Sequence, residues 1–245
     1  MLFFIFITHA APKADKNIIL QLFDSKCNSR IYQKKGINAA IIALHSNENT
    51  CIAAFGALPD SYPFVLYELM QKGNRLLECT YNTKNYYFDP NRIFSKEGII
   101  KTLSKYNKMY PESLVGKVKI FSDTLLKILL FKNASKYIIA VHNNTDGGFS
   151  VKSFANSLNA SITYVCKSED PDDFFLVTQL SDFRFFKEQN KNVVLQNSPP
   201  TDDGSLSVYC QSKKIPYINI EAQNGHQQKQ TEMLLLCAKL LSKSH

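Results

Sequence analysis

Two histidines and one glutamate have the residue types and the positions that a metal site needs. His45 and Glu48 form a His-x-x-Glu pattern after the apolar run 39–44, and His142 follows a second run at 136–141. Imidazole nitrogens and carboxylate oxygens suit zinc, and three protein ligands leave one coordination position open, as in catalytic zinc sites. Because His-x-x-Glu also occurs by chance, the alternative stays open that these are ordinary polar residues at strand ends.

The two apolar runs are the elements that must position these side chains. Uninterrupted apolar runs of this length are typical of strands buried on both faces of a sheet. Polar residues that follow such strands lie at the carboxyl edge of the sheet, where open α/β folds bind ligands. We therefore expect strands over 37–44 and 136–141 to bring His45 and His142 to one edge, with Glu48 in the turn that follows His45.

Strand and helix patterns alternate along the rest of the chain. Strands are predicted at 17–23, 75–81, 161–166, 174–180, 192–196, 205–210 and 216–220. Helices are predicted at 51–55, 64–71, 95–106, 114–130 and 227–241, the third of them with Ser95 as its cap and Gly98 as a weak point. Because no linker or repeat interrupts this alternation, we predict a single α/β domain over 1–245, with a mixed central β-sheet and helices on both faces.

Four features stand in a particular order along the chain. They are His45-Ser46-Asn47-Glu48, the loop Asp89-Pro90-Asn91-Arg92, His142, and Glu221 after a late strand. This order resembles the zinc carboxypeptidase superfamily, which includes carboxypeptidases of the A type and the succinylglutamate desuccinylase–aspartoacylase deacylases. The resemblance extends over residues 37–226 and implies a zinc carboxypeptidase-like fold.

The resemblance implies one zinc ion and a general base. His45, Glu48 and His142 would bind the Zn²⁺, and Glu221 would take a proton from the water that attacks the substrate. Asn49 departs from the deacylases, in which a proline commonly follows the ligand glutamate.

The resemblance also implies how the substrate would be bound. Asn91 and Arg92 match the family's Asn-Arg pair, which grips the carboxylate of the substrate, and a planar guanidinium suits that task. Arg75 is a looser match to an arginine that polarises the scissile carbonyl group, and Tyr209 is a looser match to a substrate-facing tyrosine. The expected reaction is hydrolysis of an amide bond next to a free carboxylate, in a peptide, a cell-wall peptide or an N-acyl amino acid.

Two other functions are compatible with these residues. A non-catalytic pseudo-enzyme on the same fold would bind carboxylate ligands through Arg92 without turnover, although the presence of all the presumed ligands and of Glu221 argues against it. A cysteine hydrolase would pair a thiol with His142 or His226, but no cysteine lies at an evident strand-to-helix turn. Two further alternatives for His226 are that it supports a metal ligand by a hydrogen bond or that it replaces one of the predicted ligands.

Composition narrows the class of protein. The net charge is +8, but the lysines are spread along the chain and no nucleic-acid-binding motif is present. No apolar run reaches the roughly 20 residues that a membrane-spanning helix needs. None of the six cysteines forms Cys-x-x-Cys, which argues against a cysteine-ligated zinc and leaves disulfides open.

Two segments carry further expectations. Residues 1–15 are interpreted as a signal or an N-terminal extension, so that a periplasmic or secreted location and a cytoplasmic one both stay open. The acidic loop 170–173 is expected to be solvated, with a calcium site as the alternative.

Overall fold

The computed structural model describes residues 12–34, 39–62, 64–131, 137–154, 160–197 and 199–242. Within these ranges the strands are β1 Lys16–Leu22, β2 Ser25–Gln33, β3 Ala39–Ala43, β4 Phe64–Met70, β5 Leu77–Tyr81, β6 Lys84–Phe88, β7 Tyr137–Asn144, β8 Ala160–Tyr164, β9 Phe174–Val177, β10 Val193–Gln196 and β11 Tyr217–Gln223. The α-helices are α1 Thr50–Gly56, α2 Lys96–Tyr106, α3 Ser113–Phe131, α4 Leu180–Glu188, α5 Leu206–Lys213 and α6 Gln227–Ser242.

A mixed sheet runs through the described part of the chain. Its nine strands follow the order β1-β2-β4-β3-β7-β11-β9-β10-β8, and β5 and β6 form a separate hairpin. The central strands β4, β3, β7 and β11 are parallel to one another, while β1, β2, β8 and β9 bring antiparallel pairs to the two sides. Because parallel strands end at one edge, the residues after β3 and the carboxyl ends of β7 and β11 meet there, at the position where open α/β sheets bind ligands.

Helices cover both faces of the sheet, each over its own apolar core. One core contains Ile99 of α2, Phe121 of α3 and Leu206 of α5. The opposite core contains Phe55 of α1 and Leu234 of α6, together with residues of α4. The predicted α/β class, with a mixed central sheet and helices on both faces, is confirmed.

Two segments have the opposite secondary structure to the one predicted. The predicted helix 64–71 is strand β4, which lies between β2 and β3 and is buried along almost its whole length. Two neighbouring strands satisfy its backbone, so the tertiary context overrides its helix-compatible pattern. The predicted strand 205–210 is helix α5, since the Ser205 hydroxyl accepts from the Val208 backbone N–H and Leu206 and Cys210 bury one face.

Strand β2 and helix α4 were not predicted, whereas most of the other elements were. Ser95 caps α2 as expected, its hydroxyl accepting from the Gly98 N–H. Gly98 was predicted as a weak point of this helix, but the structure shows why a glycine is needed there. A Cβ at this position would lie 2.3 Å from the Gly204 Cα and 2.7 Å from the Arg92 carbonyl oxygen. This contact presses the loop before α5 against the segment that carries Arg92.

The remaining predictions concern thiols, membranes and the N-terminus. All six cysteines are free and buried, including Cys51 and Cys237 in their helices. Among the described helices, none is long and apolar enough to cross a membrane. The predicted signal or extension lies mostly outside the described residues, as do the first residues of the strand predicted at 37–44.

Asp182 is a buried carboxylate remote from the predicted site, and it makes stability depend on pH. Its Oδ1 accepts from Tyr137 and Ser181, but Oδ2 is buried with no partner among the described residues. Burial raises its pKa from 3.8 to about 6, although the two hydroxyls oppose the shift. The folded state therefore binds the proton more tightly than the unfolded state, and Asp182 costs stability as the pH rises through about 6.

We expect Asp182→Asn to stabilise the protein at pH 8 by about 1–3 kcal/mol, with the gain vanishing near pH 4. Denaturant unfolding at both pH values measures the difference. Asp123→Asn, which alters an exposed carboxylate, serves as the control and should change little. A loss of stability at pH 8 would show that the Asp182 charge is compensated in the folded state.

Candidate metal centre

The two predicted histidines and the predicted glutamate lie together at the carboxyl edge of the sheet. His45 Nδ1 lies 3.2 Å from His142 Nδ1 and 3.0 Å from Glu48 Oε1. His142 Nδ1 lies 2.7 Å from Glu48 Oε2. All three residues are buried, with 4% of Glu48 exposed. One nitrogen of each imidazole and the carboxylate thus converge on one point.

A short turn after β3 holds Glu48 in this position. The Glu48 N–H donates to the His45 carbonyl oxygen at 3.1 Å, which closes the turn, and α1 begins at Thr50. From the side of β7, the Asn143 N–H donates to Glu48 Oε2 at 3.3 Å, and the Asn143 side chain accepts from the Thr50 N–H. The carboxylate is therefore held by the ends of two neighbouring strands.

Asp89, for which no role was predicted from the sequence, fixes the orientation of the His45 ring. Its Oδ1 lies 2.8 Å from His45 Nε2 and also accepts from the Asn91 N–H. An ionised carboxylate only accepts hydrogen bonds. It therefore favours the His45 tautomer that carries the proton on Nε2 and leaves Nδ1 unprotonated. Carboxylate–histidine pairs of this kind orient metal-bound imidazoles. The sequence offered one sign of this role, because Asp89 is the first residue of the Asp-Pro-Asn-Arg loop.

The charges of the cluster shift several pKa values. Burial opposes ionisation of Glu48 and Asp89. His142 and His45 nevertheless hold the pKa of Glu48 well below its usual range, and His45 and Arg75 do the same for the pKa of Asp89. Burial also lowers the pKa of His142, yet the Glu48 carboxylate outweighs it and raises the pKa overall.

The donor set fits a tetrahedral zinc ion. Ligand atoms about 2.0–2.1 Å from such an ion lie about 3.3 Å from one another. The nearest separations within the cluster are 3.2, 3.0 and 2.7 Å, and the ligand atoms all lie within 4.8 Å of one another. Two nitrogens and one carboxylate are the ligands that leave the fourth position to water or substrate in catalytic zinc sites.

Glu221 lies next to the cluster on the neighbouring strand. It is the register partner of His142 between the parallel strands β7 and β11, so both side chains project from the same face. Adjacent strands are about 4.8 Å apart. Burial raises the pKa of Glu221, while His142 lowers it and Glu48 raises it further. Asn219 donates to Glu221 Oε1 at 2.9 Å. A buried carboxylate with a raised pKa is suited to accept a proton.

Arg75 lies beside the cluster, bridging two of its carboxylates. One guanidinium nitrogen is 2.6 Å from Glu48 Oε1 and another is 3.3 Å from Asp89 Oδ2. Its side chain is 45% exposed, so the cation also faces the solvent. The predicted role at a substrate carbonyl group stays a prediction; what the geometry adds is that this cation balances the charge of Glu48 and Asp89.

Asn91 and Arg92 follow Asp89 in a short 3₁₀ turn, which brings them to the same edge. The Asn91 side-chain nitrogen lies 3.5 Å from His142 Nε2, and its oxygen accepts from the Leu206 N–H at the start of α5. Arg92 donates to the Asn91 carbonyl oxygen and lies 3.7 Å from Asp203 Oδ2. Its side chain is 38% exposed, which leaves part of the guanidinium accessible.

Tyr209 is not brought to the cluster. It lies one turn into α5, where its ring packs against Phe94 with centroids 6.4 Å apart. With Thr178 and Pro199 it lines a cavity of about 600 Å³ that none of the predicted metal ligands lines. Thr178 contacts the first residue of β11, at the opposite edge of the sheet from Glu221. The segment predicted as a strand at 205–210 is this helix, and the role of Tyr209 toward a substrate stays a prediction.

A second group of metal-binding residue types lies at His226. Ligand atoms of Asp170, Asp173 and His226 lie within 4.8 Å of one another. Asp173 is buried, accepting from the Gln223 N–H at 2.9 Å and lying 3.2 Å from His226 Nδ1. The expectation of a solvated loop is therefore wrong for Asp172 and Asp173, whose carboxylates accept from backbone N–H groups instead. His226 belongs to this group and not to the first cluster.

The buried thiols do not support a cysteine hydrolase. Burial raises the pKa of Cys27 and of Cys79 to about 12, and it raises those of Cys51, Cys210 and Cys237 as well. A thiol of this kind is rarely the reactive thiolate. Cys166 has a lowered pKa, but its side-chain partner is Ser168 rather than a histidine.

Asp89→Asn tests the support of His45. The substitution removes the charge that holds the Nε2 proton and pairs with Arg75, so we expect the affinity for Zn²⁺ to fall roughly 10- to 100-fold. Competition with a chromophoric chelator measures this affinity. Asp123→Asn is the matched control, because that carboxylate is exposed and pairs with Lys119. Equal affinities of the two variants would mean that Asp89 does not support the metal.

No protein-family model and no curated protein sequence matches this chain. Solved structures that are similar include a predicted succinylglutamate desuccinylase/aspartoacylase from Shewanella frigidimarina, at 8% identity, covering 90% of this chain and 69% of that one, with a TM-score of 0.43. Bovine thrombin-activatable fibrinolysis inhibitor, in complex with tick carboxypeptidase inhibitor, is 12% identical over 96% and 92% of the two chains, with a TM-score of 0.48.

N-formylglutamate amidohydrolase from Ralstonia eutropha is 9% identical over 89% of this chain and 99% of that one, with a TM-score of 0.41. The succinylglutamate desuccinylase–aspartoacylase deacylases are among the proteins that the order of motifs in this sequence resembles. Each of these TM-scores is below 0.5.

Proposed function

We propose that this protein is a zinc-dependent hydrolase that cleaves an amide bond next to a free carboxylate. The observation that carries the proposal is the convergence of His45 Nδ1, His142 Nδ1 and the Glu48 carboxylate, all buried and with ligand atoms within 4.8 Å of one another. Asp89 supports it by holding the proton on the far side of the His45 ring. The substrate would be a peptide, a cell-wall peptide or an N-acyl amino acid.

The metal would be bound by His45, Glu48 and His142. A Zn²⁺ ion bound there would supply Lewis-acid polarisation of a carbonyl group and a water with a pKa of roughly 7. Glu221 would accept the proton of the attacking water and pass it to the leaving amine. Its position beside His142 and its raised pKa support that role. Arg75, beside the cluster and partly exposed, would donate to the oxygen of the scissile carbonyl group.

The free carboxylate of the substrate would be bound by Arg92 with Asn91. The Arg92 side chain is partly accessible, and the 3₁₀ turn that carries it starts at the residue after Asp89. A guanidinium binds a carboxylate through two parallel hydrogen bonds. Asp203, at 3.7 Å from Arg92, would be displaced from this cation when the substrate binds.

Hydrolysis of a panel of N-acyl amino acids and short peptides tests the proposal. We expect turnover with added Zn²⁺, loss of turnover with a chelator, and a strong decrease when the terminal carboxylate of the same substrate is amidated. The pseudo-enzyme alternative predicts that carboxylate ligands bind through Arg92 while no amide in the panel is cleaved. A protein that binds no divalent metal would exclude the proposed reaction.

A further inference from the structure

The outer surface of helices α2 and α3 is strongly basic. From residue 96 to residue 127 the chain has seven lysines and three acidic residues, a net charge of +4 in a protein whose total is +8. The inner sides of both helices are buried in the core, with Leu103 of α2 and Val118 of α3. The α2–α3 face is defined by the seven lysines, which are Lys96, Lys101, Lys105, Lys108, Lys117, Lys119 and Lys127.

The α2–α3 face also carries the two most exposed large hydrophobic side chains of the described residues. Met109, in the connection between the helices, is 83% exposed, and Ile120 of α3 is 63% exposed. Ile100 of α2 is exposed as well. Single exposed apolar residues are common, but apolar residues that share one surface usually mark an interaction site.

A groove of about 900 Å³ between the two helices joins these apolar residues. Ile100, Tyr110 and Val115 line it, together with Gly116, which lies one helical turn before Ile120. A glycine inside a helix destabilises it relative to alanine. A Cβ at Gly116 would meet no atom within 4 Å, so close packing does not require this glycine. What the missing side chain provides is an open groove with apolar walls.

The combination of lysines with exposed aliphatic side chains discriminates among anionic partners. Lysine is depleted at protein–protein interfaces, and a second copy of this chain would place like charges opposite each other. The phosphates of a nucleic acid would attract the lysines but give Met109 and Ile120 no apolar environment. The surface of an anionic lipid bilayer suits both groups, because its headgroups attract lysines and its acyl region takes up apolar side chains.

We propose that the α2–α3 face docks this protein on the surface of an anionic lipid bilayer. Met109 and Ile120 enter the boundary between headgroups and acyl chains, the groove receives part of an acyl chain, and the lysines lie among the headgroups. This inference is independent of the metal centre and adds a lipid surface to the partners of the protein.

Cosedimentation of the full chain with lipid vesicles tests the contribution of charge. We expect binding to vesicles of equal parts phosphatidylcholine and phosphatidylglycerol, and much weaker binding to phosphatidylcholine alone. One lysine near an anionic surface contributes about 5-fold to affinity, so Lys108→Gln combined with Lys117→Gln should weaken binding roughly 20-fold. Both side chains are exposed, so the protein should remain folded.

Lys152→Gln combined with Lys167→Gln is the matched control. These lysines are also exposed, and they flank β8, which lies at the opposite end of the sheet from β1, the strand that α3 contacts. The control removes the same charge and should change binding little. The N-terminal residues 1–11 are identical in all variants, so they cannot produce a difference between the two pairs.

Tryptophan fluorescence tests the insertion of the apolar side chains. The chain has no tryptophan, so Met109→Trp introduces a single reporter. Its emission should shift to the blue with vesicles that contain phosphatidylglycerol, and lipids with brominated acyl chains should quench it. Ile162→Trp, at an exposed position of β8, is the control and should show neither effect.

Three results would each overturn the proposal. They are the absence of binding to the anionic vesicles, equal weakening by the two lysine pairs, and vesicle binding without a change in the emission of Met109→Trp. Binding of poly-L-glutamate without binding of vesicles would assign the α2–α3 face to an acidic protein and overturn the bilayer as its partner.

Discussion

Glu221→Gln should abolish most amide hydrolysis while leaving the metal in place. Glutamine has nearly the same shape but cannot accept the proton of the attacking water, and proton transfer by a positioned base contributes roughly 10²–10⁴-fold to a rate. Glu221 lies beside His142 on the next strand and is not one of the three converging ligands, so the affinity for Zn²⁺ should change little.

Two measurements are needed for this variant. The rate at saturating substrate reports the lost proton transfer, and the metal content after dialysis reports the integrity of the centre. The neutral amide also removes the cost of burying a carboxylate at this position, so the variant should be at least as stable as the wild type at neutral pH. Full activity of Glu221→Gln would remove Glu221 from the mechanism, and loss of the metal would make it a ligand.

His142→Ala should eliminate zinc binding at physiological concentrations. The substitution removes one of the three protein ligands. Structural zinc sites have apparent binding free energies of about 10–16 kcal/mol, so losing one ligand of three should lower the affinity for Zn²⁺ on the order of 10³-fold. The change also leaves the buried Glu48 carboxylate without the partner at 2.7 Å. Removing one member of a buried ion pair costs about 3–5 kcal/mol, so the variant should unfold more easily as well.

His226→Ala is the control that separates the two groups of metal-binding residue types. His226 pairs with Asp173 and is 38% exposed in its side chain, and it belongs to the second group. Zinc affinity and activity should survive this substitution. Retention of zinc in His142→Ala combined with its loss in His226→Ala would move the metal from the first group to Asp170, Asp173 and His226.

The ends of the two central strands were predictable because their signal is local. An apolar run that stops at a polar residue is visible in the sequence, and the carboxyl edge of a parallel sheet is a general position for ligands. Both strands are parallel neighbours, with Ala39 paired to Tyr137, so His45 just after β3 and His142 near the end of β7 lie at the same edge. That these two strands are neighbours in the sheet was not visible in the sequence and is shown by their pairing.

The two segments with wrongly predicted secondary structure are those in which the apolar residues have no clear helical or strand period. Strand β4 is apolar at nearly every position because sheet neighbours and cores surround it, and a buried helix segment of this length has the same composition. Helix α5 is short and its apolar positions are few, so the segment also fitted a strand. Tyr209 was consequently expected on a strand, whereas it lies on this helix.

The sequence alone determined the chemical types of the predicted ligands, the strand ends that carry them, and the α/β class with helices on both faces. Only the tertiary structure decided that Asp89 bonds the His45 ring, that Arg75 bridges two carboxylates, and that His226 joins Asp173 instead. The physical reason is that composition and periodicity report burial along one element, whereas a side chain's partner depends on the register and packing of elements distant in the chain.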